Sequence, residues 1–201
     1  MSHIIGIDVS KATLDCAYLR DPDQDKAKRK ICQNEMDHFE SLINCAQALT
    51  GLPCQSLAFV IEPTHVYHEQ LVQFLHSKAT TVYLVNPGRV RKFAEGIGIL
   101  SKNDVIDADL LAHYGLMAKK LIVFEPAPQE ISDLRSLLNR LYVLEKNLRR
   151  ELNRQEKAGK SLTFHRLEQQ SITRSIKRHE AEIVCFKNAA RDCVNASPWL
   201  Q

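Results

Sequence analysis

The sequence predicts an α/β fold, a mixed sheet with flanking helices, followed by a long helical hairpin or coiled coil. In the first two-thirds of the 201 residues, short apolar runs alternate with amphipathic stretches, a pattern typical of α/β domains. One continuous apolar run marks a central strand that is covered on both faces. Beyond residue 125, apolar residues recur three and four apart, as in a coiled coil. We therefore expect one domain at 1–125 and a helical segment at 126–201.

Three strands are predicted to open the chain as a meander. The stretch "HIIGIDVS" is an apolar run broken by Gly6 and Asp8, consistent with a buried strand. "TLDCAYL" alternates, and "KRKICQN" follows after the turn "DPDQDK", in which a proline stands among acids.

The middle of the domain continues with alternating helices and strands. "DHFESLINCAQAL" reads as an amphipathic helix that ends at Gly51. "SLAFVIEP" is the strongest strand signal, and Pro63 ends it after Glu62. "VYHEQLVQFLHSKA" is a second amphipathic helix, "TTVYLVNP" is a further buried strand, and the aspartate-rich "KNDVIDADLLA" predicts another helix.

The helical segment shows two heptad-like series. Its first helix places apolar residues at 131, 134, 138, 141, 148 and 152. The pattern breaks near Gly159 and resumes three and four residues apart at Ile172, Ile176, His179, Ile183, Phe186 and Ala190. Such helices form a hairpin or pair with another chain, so we expect a homodimer or higher homo-oligomer.

Composition restricts the class of protein. Hydrophobic residues make up 44% and charged residues 25%, typical of a globular domain. No apolar run is long enough to span a bilayer, and the first residues do not resemble a secretory signal. Six cysteines without a C-x-x-C pair favour free thiols and a cytoplasmic location.

The basic excess lies in the last third of the chain. Residues 1–125 hold 13 basic and 15 acidic residues, whereas residues 126–201 hold 14 and 9, so the net charges are −2 and +5. A basic helical segment favours contact with nucleic acid, although a solvated helix surface explains the same charge.

Four acids are predicted to form a metal site. Asp8 interrupts an apolar strand, Glu62 ends the central strand, and Asp104 and Asp107 stand one turn apart on a helix. A buried carboxylate is costly unless a cation compensates it. Oxygen ligands favour Mg²⁺ or Mn²⁺, and paired ions about 4 Å apart serve phosphodiester chemistry.

Each acid also has a simpler explanation when it is taken alone. Asp8 could cap the turn before Ser10, and Glu62 could pair with Lys102. Asp104 could be the N-cap of its helix, with Asp107 in the favourable first turn. Two further aspartates are weaker candidates, because Asp109 is expected on the surface and Asp15 alternates with apolar positions of its strand.

Basic residues and histidines flank the acids. In the first domain, the residues that could contact phosphates are Lys11, Arg89, Arg91, Lys92 and Lys102. In the helical segment they include Arg140, Arg149, Arg150 and Arg154. His65 and His68 could hydrogen-bond a phosphate or cap a helix.

Four stretches in this order resemble one family. "GIDVSK", "IEPTHVY", "VNPGRVRKFA" and "KNDVIDADLLA" are similar to the N-terminal half of the DEDD transposases, an insertion-sequence family that includes Piv-type site-specific DNA invertases. The resemblance covers about residues 3–155. It implies a RuvC-like, ribonuclease-H-type fold, with the acidic tetrad at Asp8, Glu62, Asp104 and Asp107.

The resemblance also implies function. The tetrad would bind Mg²⁺ or Mn²⁺ for DNA strand cleavage and exchange in transposition, and the helical part would serve dimer assembly and nucleic-acid contact. A guide RNA is a further expected partner. Family members continue into a domain with a nucleophilic serine, for which we find no counterpart here, so we expect an incomplete recombinase.

Two other functions remain open at this point. "GIDVSK" also resembles the phosphate-binding hairpin of an actin-like or sugar-kinase ATPase half. The chain could instead be a non-catalytic assembly module that keeps nucleic-acid binding and dimerisation.

Overall fold

The computed structural model describes residues 3–19, 27–98 and 104–198, and only the backbone at 104–106. The chain divides into two compact units between Pro126 and Ala127. The described strands are β1 (His3–Val9), β2 (Thr13–Leu19), β3 (Lys28–Gln33), β4 (Leu57–Ile61) and β5 (Thr81–Leu84). The described helices are α1 (Met36–Thr50), α2 (Glu69–Ser77), α3 (Pro87–Gly96), α4 (Asp104–Met117), α5 (Gln129–Ala158) and α6 (Arg166–Ala196).

The first unit is built on one mixed sheet with the order β3-β2-β1-β4-β5. Strands β1, β2 and β3 pair antiparallel, which confirms the predicted meander. Strand β4 is parallel to both β1 and β5. The carboxyl ends of β1, β4 and β5 therefore meet at one edge of the sheet.

Helices cover both faces of this sheet. One face carries Ile5, Ile7 and Phe59 and packs with residues of α1 and α2, including Phe39 and Leu71. The other face packs with α3 and α4, and its core residues include Ile4, Val60, Val90, Leu110 and Leu111. The strand pleat thus assigns alternate residues to two separate apolar layers.

Some helix ends lie where the local sequence predicts them, and one does not. Gly51 ends α1 in the left-handed conformation, as predicted. Asn86 caps α3, because its side chain accepts hydrogen bonds from the backbone N–H groups of Gly88 and Arg89. Helix α2 begins at Glu69, whereas the apolar periodicity predicted a start near Val66, since residues 65–68 form a turn.

Helix α4 makes an unusually close contact with β1. A Cβ atom added to Gly6 would clash with the backbone oxygen of Ala108 and lie 2.5 Å from the backbone nitrogen of Ala112. One added to Gly115 would lie 2.7 Å from side-chain atoms of both Ile4 and Val60. Glycine at both positions lets the helix backbone rest directly on the sheet.

The second unit is a helical hairpin. The Cys193 thiol donates to the backbone oxygen of Glu130 near the start of α5, whereas Arg140 pairs with Glu182. The α6 partner number falls as the α5 number rises, so the two helices run antiparallel. The predicted contact series of α6 is confirmed, because each of its residues is buried or half-buried, namely Ile172, Ile176, His179, Ile183, Phe186 and Ala190.

The predicted contact series of α5 is partly wrong. Leu138 and Leu152 are exposed, whereas Leu144 is fully buried and Leu137 is half-buried. Because leucines stand at both 137 and 138, the sequence admits two faces one residue apart. Packing against α6 uses the face of Leu137, Leu141 and Leu144.

Among the helices of the described ranges, we find none both long and apolar enough to cross a bilayer.

The packing at Gly6 makes a testable prediction. We expect Gly6→Ala to lower the free energy of unfolding by about 1–3 kcal/mol, because the added methyl group must displace backbone of α4. Urea denaturation measures the change. Gly96→Ala is the matched control, since a Cβ there meets no atom within 4 Å, and it should change stability by less than about 1 kcal/mol. Equal effects of the two substitutions would contradict this account.

Candidate functional site

Asp8 and Glu62 lie at neighbouring positions on the carboxyl edge of the sheet. In the parallel ladder of β1 and β4, Ile7 is the partner of Ile61. Asp8 and Glu62 are the residues that follow this pair, and both are half-buried. The register of the sheet, rather than proximity in sequence, brings the two acids together.

Asp8 belongs to the sheet face that α4 covers. Side chains on a strand alternate between faces, so Asp8 shares the face of Gly6, which contacts α4 at Ala108 and Ala112. Glu62 continues the same alternation from Val60, which belongs to the apolar layer beneath α3 and α4. The pleat therefore places Asp8 on the face beneath α4, and the same alternation continued past the end of β4 would direct Glu62 to that face.

Helix α4 runs opposite to β1 along this face. Gly115 packs on Ile4, whereas the backbone around Ala108 packs on Gly6, two residues further along the strand. Extending this direction by another two residues of β1 brings the N-terminal turn of α4 toward Asp8. Asp107, which is half-buried, lies in that turn.

Two predicted residues are described only in part or not at all. The backbone of Asp104 begins α4, which agrees with a position near the acids, but its side chain is outside the described atoms. Lys102 lies outside the described residues altogether. The roles predicted for Asp104 and Lys102 therefore stay predictions.

The donor set fits a hard divalent cation in its chemistry. Asp8, Glu62 and Asp107 supply carboxylate oxygens only, which Mg²⁺ and Mn²⁺ prefer. Within the part of the chain whose side chains are described, no three Asp, Glu, His or Cys residues are grouped closely enough to hold a metal ion. Completing a four-acid site would require the side chain of Asp104.

Asp15 lies closer to the candidate acids than the sequence pattern indicated. It is the direct partner of Asp8 in the antiparallel ladder of β1 and β2, and it is half-buried. Paired residues share a face, so Asp15 also faces α4. In the sequence, the alternation of Asp15 with apolar residues in "TLDCAYL" indicated only that it lies on one face of a strand. The pairing of β2 with β1 was needed to show that this face is also that of Asp8.

Asp109 was predicted on the surface, and the structure gives its side chain an intermediate exposure and a partner. Its side chain is 19% exposed and pairs with Arg29 of β3. The Arg29 Nε donates to one carboxylate oxygen at 2.9 Å, and a terminal nitrogen donates to the other. This hydrogen bonding raises the pKa of Arg29. The ion pair connects α4 to β3, the edge strand of the sheet.

The loops at the carboxyl edge are joined by Asn34. Its side-chain nitrogen donates to the backbone oxygens of Ser10 and Tyr67. These bonds connect the β1–β2 turn with the segment after Glu62, where His65 has a positive φ of 46°. His68 is the N-cap residue of α2, but its side chain makes no capping hydrogen bond, so the capping alternative does not apply to His68.

The predicted basic residues fall into two groups. Those with exposed side chains are Lys11, Arg89, Arg91, Lys92, Arg149 and Arg150. Two others form ion pairs within the helical hairpin, Arg140 with Glu182 and Arg154 with Glu151. Helix α3 starts just beyond the carboxyl end of β5, so its three basic residues lie at the same sheet edge as Asp8 and Glu62.

Asp8 and Glu62 thus stand at one sheet edge, near the exposed basic residues of α3. Comparison with known proteins identifies the family of this chain. A family model described as a transposase, of the DEDD type found in IS110-like elements, matches residues 5–160. The chain therefore belongs to the DEDD transposase family, as the four motifs predicted.

Two relatives carry the same name. The pilin gene-inverting proteins of Moraxella bovis and Moraxella lacunata are each 30% identical to this chain over 152 residues. The matched region is 76% of this chain and 46% of each relative, so the chain spans about half the length of these relatives. The family assignment does not support the ATPase alternative.

The contact between Arg29 and Asp109 can be measured by a double-mutant cycle. We expect a coupling free energy of about 0.5–1 kcal/mol between Arg29→Ala and Asp109→Asn, since Arg29 remains half exposed. Arg29→Lys should lose part of this coupling because lysine cannot form the two-pronged contact. Additive effects of the two single substitutions would show that the pair does not hold α4.

Proposed function

We propose that this chain contributes the metal-dependent part of a DNA transposase, with Asp8, Glu62, Asp104 and Asp107 as its ligands. The observation that carries the proposal is the antiparallel course of α4 over β1, which directs the turn bearing Asp107 toward Asp8. The register of β1 and β4 adds Glu62 at the next strand. These two observations support a site to which three elements distant in the sequence contribute.

The proposed chemistry is cleavage and exchange of DNA strands. Bound Mg²⁺ or Mn²⁺ would supply charge stabilisation at a phosphodiester and activate the attacking oxygen. The carboxylates would hold the cation, and the sheet and α4 would fix their spacing. Exposed Arg89, Arg91, Lys92 and Lys11 would contact backbone phosphates, which position a strand without reading its sequence.

A ribonuclease-H-like, RuvC-like fold is part of the same proposal. Its support is the strand order, in which an antiparallel meander of three strands is extended by two parallel strands with helices on both faces. Acids at the end of the first strand, after the fourth strand and on a helix laid across the first strand fit that architecture.

The helical hairpin is proposed to assemble copies of the chain and to contact nucleic acid, including a guide RNA. Its support is the set of side chains that packing with α6 leaves outward on α5. These include apolar Leu138, Tyr142 and Leu152 and basic Arg149 and Arg150. Exposed apolar residues at helical spacing fit a second helix, and the arginines fit phosphates.

Metal-induced stabilisation tests the acidic site. We expect MnCl₂ or MgCl₂ to raise the melting temperature of the wild type, because a ligand that binds the folded state stabilises it, by about 2.7 kcal/mol at a hundred times its Kd. Asp8→Asn and Asp107→Asn should each abolish most of this rise, measured by thermal unfolding with and without EDTA.

Asp37→Asn is the matched control, since Asp37 is an exposed acid in the first turn of α1. It should keep the full metal response. A wild type that shows no response, or variants that respond like the wild type, would reject the metal site. Such an outcome, together with retained DNA binding, would favour the non-catalytic assembly module.

Salt dependence tests the contact of α3 with DNA. We expect the double substitution Arg89→Ala and Arg91→Ala to reduce the slope of log K against log salt by about 1–2, because each phosphate contact releases about 0.9 counterion. Fluorescence anisotropy over a salt series gives the slope. Lys78→Gln removes a basic residue that is paired with Glu40, and its slope should match the wild type. An unchanged slope in the double variant would place the DNA elsewhere.

A further inference from the structure

Three thiols line one small cavity on the sheet face that packs against α1. Cys16 comes from β2, Cys32 from β3 and Cys45 from α1, and the lining also includes Lys28 and Lys30. The cavity measures about 20 Å³, enough for a molecule the size of one water. A small oxidant such as hydrogen peroxide has comparable dimensions.

The sheet register places two of these thiols together. Cys32 pairs with Leu14 and Lys30 pairs with Cys16, so Cys16 and Cys32 share a face and are diagonal neighbours. Both side chains line the same cavity. The Cys16 thiol donates to the backbone oxygen of Leu14, the residue that pairs with Cys32 across the strands. Cys16 is buried, whereas Cys32 is half-buried and reachable from solvent.

The environment separates the acidities of the two thiols. The neighbouring Cys16 thiol, which can donate to a Cys32 thiolate, and the charge of Lys30 lower the pKa of Cys32 to about 7, against the opposing effect of burial. The neighbouring Cys32 thiol and burial raise the pKa of Cys16 well above its usual range. Cys32 is therefore substantially a thiolate near neutral pH, and Cys16 retains its proton.

We propose that Cys32 is a peroxide-reactive thiol and that Cys16 is its resolving partner. The Cys32 thiolate attacks hydrogen peroxide, the O–O bond breaks as an S–O bond forms, and the departing hydroxide takes up a proton to become water. Cys16 then attacks the sulfenic acid sulfur. An S–S bond replaces the S–O bond, and the hydroxyl group leaves with the Cys16 proton as a second water.

This site is separate from the proposed acidic site. Cys16 and Cys32 lie on the sheet face of α1, whereas Asp8 and Asp15 lie on the face of α4. The inference therefore does not rest on the proposed metal chemistry. The disulfide would join β2 to β3, the strand whose Arg29 holds Asp109 of α4.

Alkylation against pH tests the thiolate. In the full chain, the iodoacetamide rate at Cys32 is expected to reach half its maximum near pH 7. Cys185 is an exposed thiol and serves as the internal reference. Lys30→Gln should move the Cys32 midpoint to higher pH, whereas Lys30→Arg should preserve it. A Cys32 profile that matches that of Cys185 would overturn the proposal.

Peroxide treatment tests the pairing. Peptide mass spectrometry after stoichiometric hydrogen peroxide should find Cys16 linked to Cys32, and thiol reductant should reverse the link. Cys16→Ser should instead accumulate a dimedone adduct at Cys32, whereas the control Cys45→Ser should still form the link. A link from Cys32 to Cys45, or oxidation that is no faster at Cys32 than at Cys185, would refute the assignment. Because Cys16→Ser places a hydroxyl in a buried site, its circular dichroism and melting temperature are compared with those of the wild type.

Discussion

The absence of a side chain at residue 6 sets the distance between α4 and the sheet. Backbone atoms of Ala108 and Ala112 occupy the space that any Cβ at position 6 would need. The contact at Gly115 fixes a second point along the same helix. Together the two contacts fix the direction of the helix axis across the sheet. In that direction, the N-terminal end of α4, which bears Asp107, lies toward the carboxyl edge of the sheet. The proposed metal site depends on this packing before it depends on any individual acid.

Much of the fold could be predicted because its signals are local. The meander, the buried strand at Leu57–Ile61 and both long helices follow from apolar periodicity. The prediction that Leu138 and Leu152 face α6 was wrong, since both are exposed. The apolar pattern was compatible with two leucine-bearing faces of α5 that lie one residue apart. Only the side chains of α6 select between them, and sequence periodicity contains no information about a partner's surface.

The site was predictable in its residue types but not in its geometry. Asp8 and Glu62 were identified by the cost of placing acids among apolar residues, and the strand register now makes them neighbours. Asp15 and Asp109 were judged from spacing along the chain. Their positions follow instead from pairings with Asp8 and Arg29, which join residues far apart in sequence. Pairings between residues far apart in sequence are determined by tertiary structure and cannot be found from spacing along the chain.

The cross-strand neighbours Asp8 and Asp15 impose an electrostatic condition on the face of α4. Like charges directly opposite each other in a sheet are destabilising, and the half-buried position of both residues weakens screening by water. The N-terminus of α4 offers partial positive charge to the same region, since helix dipoles favour anions there. That stabilisation acts mainly on acids in the first helical turn. The pairing of Asp8 with Asp15 lies outside that turn, so the helix dipole alone compensates it only weakly.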